Sequence, residues 1–335
     1  MKKSLSMLLV AVMLLSVLAI AAPASAAAAE PIKIKFAWGN SRTDLVAAGV
    51  EAMAEYIKTA SDGAMEMEIF WDNTYCETSE ILTQMRKGNL EMGGSGATYI
   101  TDYMPELGFM NMGYLYESVD HANTVLNGEL GAEIFDRIAG ATGQRPLGGY
   151  YFGAREVCLT IDKEISTPAD LKGIKMRTNG TESMNFLVSA MGANPQGISY
   201  SEMYTALDTG VVDGQENPIT TVTGQKLYEV SKSLSYTDHM VDFSWIAVAD
   251  KFWQGLTEEQ QQIIKDAVQL CCDTNTAATV QAESEAEDFL VSQGLKVYHP
   301  DVTEIRNAVL EAYNKKAADD GWDTELMQRV LDAAN

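Results

Sequence analysis

Arg177, Tyr200 and Asn217 fall within one stretch, residues 171–218, and each stands at a junction between predicted elements. Ile174-Lys175-Met176-Arg177 alternates with period two, which reads as a strand with Arg177 at its exit, before the loop Thr178-Asn179-Gly180. Thr167, Pro168 and Asp170 predict a short helical start ahead of it, with a cap, a pre-set φ and an acid at the positive end. The spacing predicts a helix over 181–191 stopped by Gly192, then a second helix opened by the capping box Ser199-Tyr200-Ser201-Glu202 and ended at Gly210. Val211-Val212-Asp213 reads as a short strand and Gly214-Gln215-Glu216-Asn217-Pro218 as a polar turn. Strand exits and helix starts converge on one edge of an open α/β sheet, where such sheets bind ligands. A guanidinium, an aromatic face and a carboxamide together suit a small carboxylate carrying other polar groups. The plainer roles for the three are a solvated charge, a core ring and a turn-shaping amide.

The elements that must hold these residues follow from the rest of the pattern. Ile32, Ile34, Phe36 and Trp38 alternate as a first strand, and a helix over 44–60 carries Val46, Val50, Met53 and Ile57 on one face. Met65, Met67 and Ile69 form a second strand ending near Trp71, and a helix bearing Ile81, Leu82 and Met85 stops at Gly88. Leu90-Glu91-Met92 reads as a third strand followed by Gly93-Gly94-Ser95-Gly96. This βαβαβ order predicts a parallel sheet with right-handed crossovers. Trp38, Asn40, Trp71 and the run to Gly96 thereby fall at carboxyl ends of strands, where glycines admit a ligand close to the backbone. Val157, Leu159 and Ile161 alternate again, as does the segment 240–248, with Asp242, Phe243 and Trp245 near its entry. Thr257-Glu258-Glu259-Gln260 is a capping box, and no Pro or Gly follows until Gly294, which predicts a helix of about 50 Å at 1.5 Å per residue. A last strand at 295–298 and two closing helices complete the reading.

The ordered set Asp170-Leu171-Lys172-Gly173, Lys175 and Arg177, then Gly192-Ala193-Asn194-Pro195, Ser201-Glu202-Met203-Tyr204 and residues 210–218 resembles the solute-binding proteins of tripartite ATP-independent periplasmic (TRAP) transporters. The resemblance implies an α/β, two-lobed periplasmic binding protein fold with interlobe crossing strands and a long bracing helix. It implies one lobe over 27–152 with about 243–280, and another over 153–242 with about 281–335. It gives Arg177 the ligand carboxylate, Asn217 a hydrogen bond to that carboxylate or a neighbouring hydroxyl, and Tyr200 the carbon skeleton. Arg155, at the G-x-R of Gly153-Ala154-Arg155, becomes a second anion contact, and Phe243 and Trp245 lie where family members touch ligand. Where sialic-acid binders of the family carry an acidic residue after the third strand, this chain has Gly and Ser around Gly96. Trp38, Trp71 and Tyr200 would suit a sugar acid; a C4-dicarboxylate or an aromatic acid also fits the resemblance. The implied partners are the organic acid and the TRAP membrane subunits, with a monomeric chain and no cofactor.

Composition sets the address and removes other classes. The 335 residues allow two domains, and 46% hydrophobic with 21% charged residues is a globular balance. Lys2 and Lys3, the apolar run 5–22 and Ala24-Ser25-Ala26 read as a signal peptide over 1–26, cleaved on export to the periplasm. No Cys lies near the cleavage point for a lipid anchor, so no stable membrane anchor is expected. The net charge of −23 becomes about −25 once the two signal lysines are removed. Such a surface repels nucleic acid and anionic lipid, while an arginine in a cleft still dominates its own surroundings. Cys76, Cys158, Cys271 and Cys272 include no C-x-x-C, so free buried thiols and no metal site are expected. Two alternatives keep other classes in view. One is a binding protein of an ABC transporter or sensor. The other is a secreted hydrolase, whose G-x-S-x-G is spoiled by Ala97 in Gly93-Gly94-Ser95-Gly96-Ala97 and whose three histidines sit in no catalytic context.

Overall fold

A computed structural model describes residues 30–101 and 103–334; the signal segment lies outside the described residues. Nine strands form one mixed sheet: β1 (Ile32–Ala37), β2 (Met65–Phe70), β3 (Met92–Gly96), β4 (Gln144–Leu159), β5 (Lys175–Thr178), β6 (Asn194–Gly197), β7 (Gly214–Pro218), β8 (Ser233–Ala249) and β9 (Lys296–Tyr298). Their order is β2-β1-β3-β8-β4-β7-β5-β6, with β9 pairing β8. The β1–β2 and β1–β3 pairs are parallel, as the βαβαβ pattern requires, and so are β7–β5 and β5–β6. Between these two parallel ends lie the long antiparallel strands β4 and β8, of 16 and 17 residues. They are longer than the alternation at 157–161 and 240–248 foretold, because the glycines and polar residues in them carry no period-two signal.

Several local expectations change. The polar turn at 214–218 is strand β7, buried at every position between β4 and β5. Its polar side chains are tolerated there because Arg155 and His239 meet them, and the strand predicted at 211–213 is coil ahead of it. The glycine run is itself strand β3, fully buried. A Cβ on Gly94 would lie 2.5 Å from the Trp38 ring, so glycine is what lets that indole lie against the strand. The capping box at Ser199 does not form: Ser199 bonds the Glu202 carboxylate and a 3-10 turn, Tyr200–Glu202, precedes the helix Met203–Asp208. Thr167 likewise caps no helix; Asp170 instead accepts from Ser166 N, Thr167 N and Thr167 Oγ1, closing a turn.

The helix Glu258–Ser292 has the reciprocal box read from sequence, with Gln260 N donating to Thr257 Oγ1 and Thr257 N donating to Gln260 Oε1. Its first half packs Ile264, Val268, Cys271 and Cys272 into the core under β1 and β2. Its second half packs Ala286 and Leu290 with Met203, Leu207 and Leu227. Between them, Glu283 accepts from Ala154 N and the Tyr151 hydroxyl, both at 3.0 Å. That grip falls where β4 shifts register against β8, between Tyr151 and Gly153 and again between Arg155 and Val157. Such bulges bend a strand. Gly153 holds φ +133°, and a Cβ there would lie 2.4 Å from Pro218 Cβ. Gly153→Ala is therefore expected to destabilise the fold by about 1–3 kcal/mol through overpacking, read as a lower urea midpoint; an unchanged midpoint would show that the bulge yields freely.

All four cysteines are free and buried. Burial raises the Cys76 and Cys158 thiols to about 11 and Cys271 to about 12. Among the described residues no helix is long and apolar enough to cross a membrane.

Candidate binding site

A cavity of about 120 Å³ lies where β3, β4, β5, β7 and β8 meet. It is lined by Arg177 from the exit of β5, Asn217 from β7, Arg155 from β4, and Phe243 and Trp245 from β8, with Gly96 ending β3. Trp38 and Asn40 after β1, and Tyr200, complete the predicted set brought together there. Trp71 is the exception. It stacks on Trp38, ring centroids 6.3 Å apart and planes at 19°, and does not line the cavity, so it backs a lining residue instead of meeting a ligand.

The two arginines are not equivalent. Arg155 is saturated by protein. Its Nε donates to Glu216 Oε2 at 2.6 Å and its Nη1 to Asp242 Oδ2 at 2.6 Å. Its Nη2 donates to Glu216 O at 2.6 Å, Glu216 Oε1 at 3.0 Å and Asn217 Oδ1 at 3.2 Å. The anion contact expected of Arg155 is thus occupied by two internal carboxylates. Burial alone would raise the Glu216 carboxyl, yet Arg155 and His239 hold it down at about 2. For Asp242 burial wins, and its carboxyl sits above the usual range despite Arg155.

Arg177 is the opposite case. It is 2% exposed, its Nε donates to Ile198 O at 2.9 Å, and its two terminal nitrogens meet no acceptor among the described residues. Burial pushes the guanidinium below its ordinary value, only partly offset by Glu216 and Tyr99. A buried cation lacking a partner is costly, and a carboxylate entering the cavity removes that cost.

Asn217 spends its amide on the walls, with Nδ2 donating to Gln215 Oε1 at 2.6 Å and Oδ1 accepting from Arg155. Tyr200 donates to Asp44 Oδ2 at 3.4 Å. Sequence reasoning missed Asp44. It accepts from Asn40 Nδ2 at 2.9 Å, from Ser41 N at 3.0 Å and from Gln225 Nε2, joining the loop after β1 to residues far along the chain. Burial raises its carboxyl above the ordinary range, outweighing these donors. Also unforeseen were Asn179, Thr98 and Tyr99, which line the cavity with Asn179 Nδ2 3.5 Å from both Thr98 Oγ1 and Tyr99 Oη. Their signal was available, since Asn179 lies in the loop after Arg177 and Thr98 follows the glycine strand.

A mixed sheet whose two long crossing strands lead into one partly open cavity, with a buried cation lining it, defines a two-lobed binding protein for a small solute. Residues 36–320 match the model of the bacterial extracellular solute-binding protein family 7, and the chain belongs to that family. It is 28% identical over 302 residues to the sialic acid-binding periplasmic protein SiaP of Vibrio cholerae, covering 90% of this chain and 92% of that one. It is 26% identical over 287 residues to the 2,3-diketo-L-gulonate-binding periplasmic protein YiaO of Escherichia coli, covering 85% and 86%. A TRAP periplasmic solute-binding protein from Roseobacter denitrificans, solved with 3-deoxy-D-manno-oct-2-ulosonic acid, superposes with a TM-score of 0.85 at 31% identity, over 90% of this chain and 99% of that chain. The sugar acid binding protein DctPAm from Advenella mimigardefordensis, solved with galactonate, gives a TM-score of 0.84 at 27% identity, over 91% and 98%. The chain is a TRAP-type solute-binding protein.

Proposed function

We propose that this protein captures a small organic acid outside the cytoplasm, with Arg177 as its carboxylate clamp, and delivers it to TRAP membrane subunits. The observation that carries the reading is the buried Arg177 guanidinium, which has donors to spare and no carboxylate paired to it among the described residues. Its planar fork matches a carboxylate in a way a lysine ammonium does not. The ligands of the related proteins, sialic acid, 2,3-diketo-L-gulonate, galactonate and 3-deoxy-D-manno-oct-2-ulosonic acid, are all organic acids, which supports the same head group here. Asn217 and Arg155 set the clamp's surroundings, and Tyr200 packs beside it.

The lobes in this reading are 27–152 with about 243–280, and 153–242 with about 281–335. The β4 register shifts at the boundary between 152 and 153 support a hinge there. Asp44, held by Tyr200 and Gln225, is the contact that ties one lobe to the other on closure. The extracellular solute-binding family and the signal segment read over 1–26 support a periplasmic address. Capture without turnover is the reading for the site, in keeping with the binding role of the family.

Thermal unfolding against a panel of organic acids tests this. A ligand at 100 times its Kd stabilises by about 2.7 kcal/mol, a shift of several degrees. A response confined to neutral or cationic solutes would overturn the carboxylate reading.

A further inference from the structure

We propose that the cavity selects a small monocarboxylate with an apolar carbon skeleton, over dicarboxylates and over long polyhydroxy acids. The proposal rests on the reading of Arg177 as the carboxylate clamp, and three independent observations give it.

The first is the inventory of charge. Among the described residues the lining holds two cations, Arg155 and Arg177, and no lysine or histidine. Arg155 is already shared by Glu216 and Asp242, which leaves Arg177 as the one cation without an internal partner among the described residues. A second ligand carboxylate would enter a buried space whose remaining charge is already balanced or negative, and an unpaired buried carboxylate is strongly disfavoured.

The second is where the polar groups point. Several of the lining amides and hydroxyls are bonded into the walls. Asn40 donates to Asp44, Asn111 donates to Thr101 Oγ1 at 2.8 Å, Asn217 donates to Gln215, and the Tyr200 hydroxyl donates to Asp44. The 3.5 Å contacts among Asn179, Thr98 and Tyr99 are loose enough to give way to a ligand group, and the buried Trp245 indole N–H has no partner among the described residues. An aldonate with a hydroxyl on every carbon would bury without a partner those hydroxyls that meet the apolar wall. One or two polar substituents beside the carboxylate are served.

The third is shape and surface. Met110, Met112, Leu115, Leu126, Met184 and Phe243 contribute apolar wall. Methionine and leucine walls conform to carbon skeletons and offer hydroxyls nothing. The volume of about 120 Å³ is close to the roughly 150 Å³ cavity that takes up benzene in a different protein.

Calorimetric titration of the mature protein tests the assignment with named probes. The apolar monocarboxylates are benzoate, 4-methylpentanoate and 4-methyl-2-oxopentanoate; the competitors are succinate, adipate, gluconate and sialic acid. The expected result is that at least one apolar monocarboxylate binds at least tenfold tighter than every competitor, and that Arg177→Ala abolishes this binding. Tighter binding of gluconate, sialic acid or a dicarboxylate, lost in Arg177→Ala, would overturn the inference while leaving the clamp intact. Carboxylate binding indifferent to Arg177→Ala, or no carboxylate binding at all, would overturn both. Asp242→Asn supplies a second readout. By returning part of Arg155 to the cavity it is expected to improve adipate relative to 4-methylpentanoate by at least threefold, and an unchanged ratio counts against the charge inventory.

Discussion

Arg177→Ala is expected to weaken ligand binding by about 2–5 kcal/mol, the range for unpairing a buried charged contact. In the ligand-free protein the same change should cost little stability. The wild-type side chain is a desolvated cation with one internal hydrogen bond, to Ile198 O, so its removal also removes a burial penalty. The expected signature is a split: a large loss of affinity by calorimetry beside a near-constant urea midpoint without ligand. Arg177→Lys should recover only part of the affinity, because an ammonium cannot form the paired bonds of a guanidinium. Wild-type affinity in a folded alanine variant would remove Arg177 from the site.

Arg155→Ala should show the reverse split in its largest effect, a loss of about 3–5 kcal/mol of stability from breaking a buried ion pair. Glu216 and Asp242 would be left buried without their cation. In the wild type the folded Glu216 carboxyl, at about 2, lies below its ordinary 4.5, so it contributes stability that is present above pH 4.5 and lost as pH falls through about 2. Without Arg155 the Glu216 carboxyl loses the largest of the effects that hold it down, while burial still raises it and His239 still lowers it. Its folded value therefore rises, and the stabilisation that the wild type has above pH 4.5 shrinks. The deficit of the variant should therefore be greatest near neutral pH and shrink on acidification below 4.5. Urea denaturation of both proteins at pH 7 and pH 4 checks this, and a deficit independent of pH would mean that lost packing, not the stranded carboxylates, is responsible.

These two expectations separate what the sequence could and could not say about the site. Arg177 was legible because a period-two strand ended on it and an ordered motif surrounded it. Arg155 was legible as a position and not as a role: its partners Glu216 and Asp242 lie 61 and 87 residues away, and no local pattern links them. Strand β7 was hidden for a related reason. Gln215, Glu216 and Asn217 look like a surface turn until Arg155 and His239 are placed beside them, since polar residues enter a buried strand only where tertiary partners exist. The glycine strand β3 was hidden because its residues pack by their lack of side chains, with Trp38 filling the space. By contrast the helix Glu258–Ser292 was read almost to the residue, because its cap is a local hydrogen-bond box and its stop is a glycine. Trp71 shows the limit of strand-end reasoning. The topology brought it to the correct edge, and the choice between touching ligand and supporting Trp38 depended on packing alone.

The four buried thiols give the molecule its own set of internal clocks. Cys271 and Cys272 are sealed in the core under β1 and β2, Cys158 in the core with Met203 and Leu207, and Cys76 in the core that contains Ile81 and Leu82. A thiol reagent attacks the thiolate, and both enclosure and the raised pKa values withhold it. Modification of each sulfur is therefore timed by the opening of its own core. Rates followed cysteine by cysteine, with and without ligand, would report how far each part of the protein breathes with no label introduced.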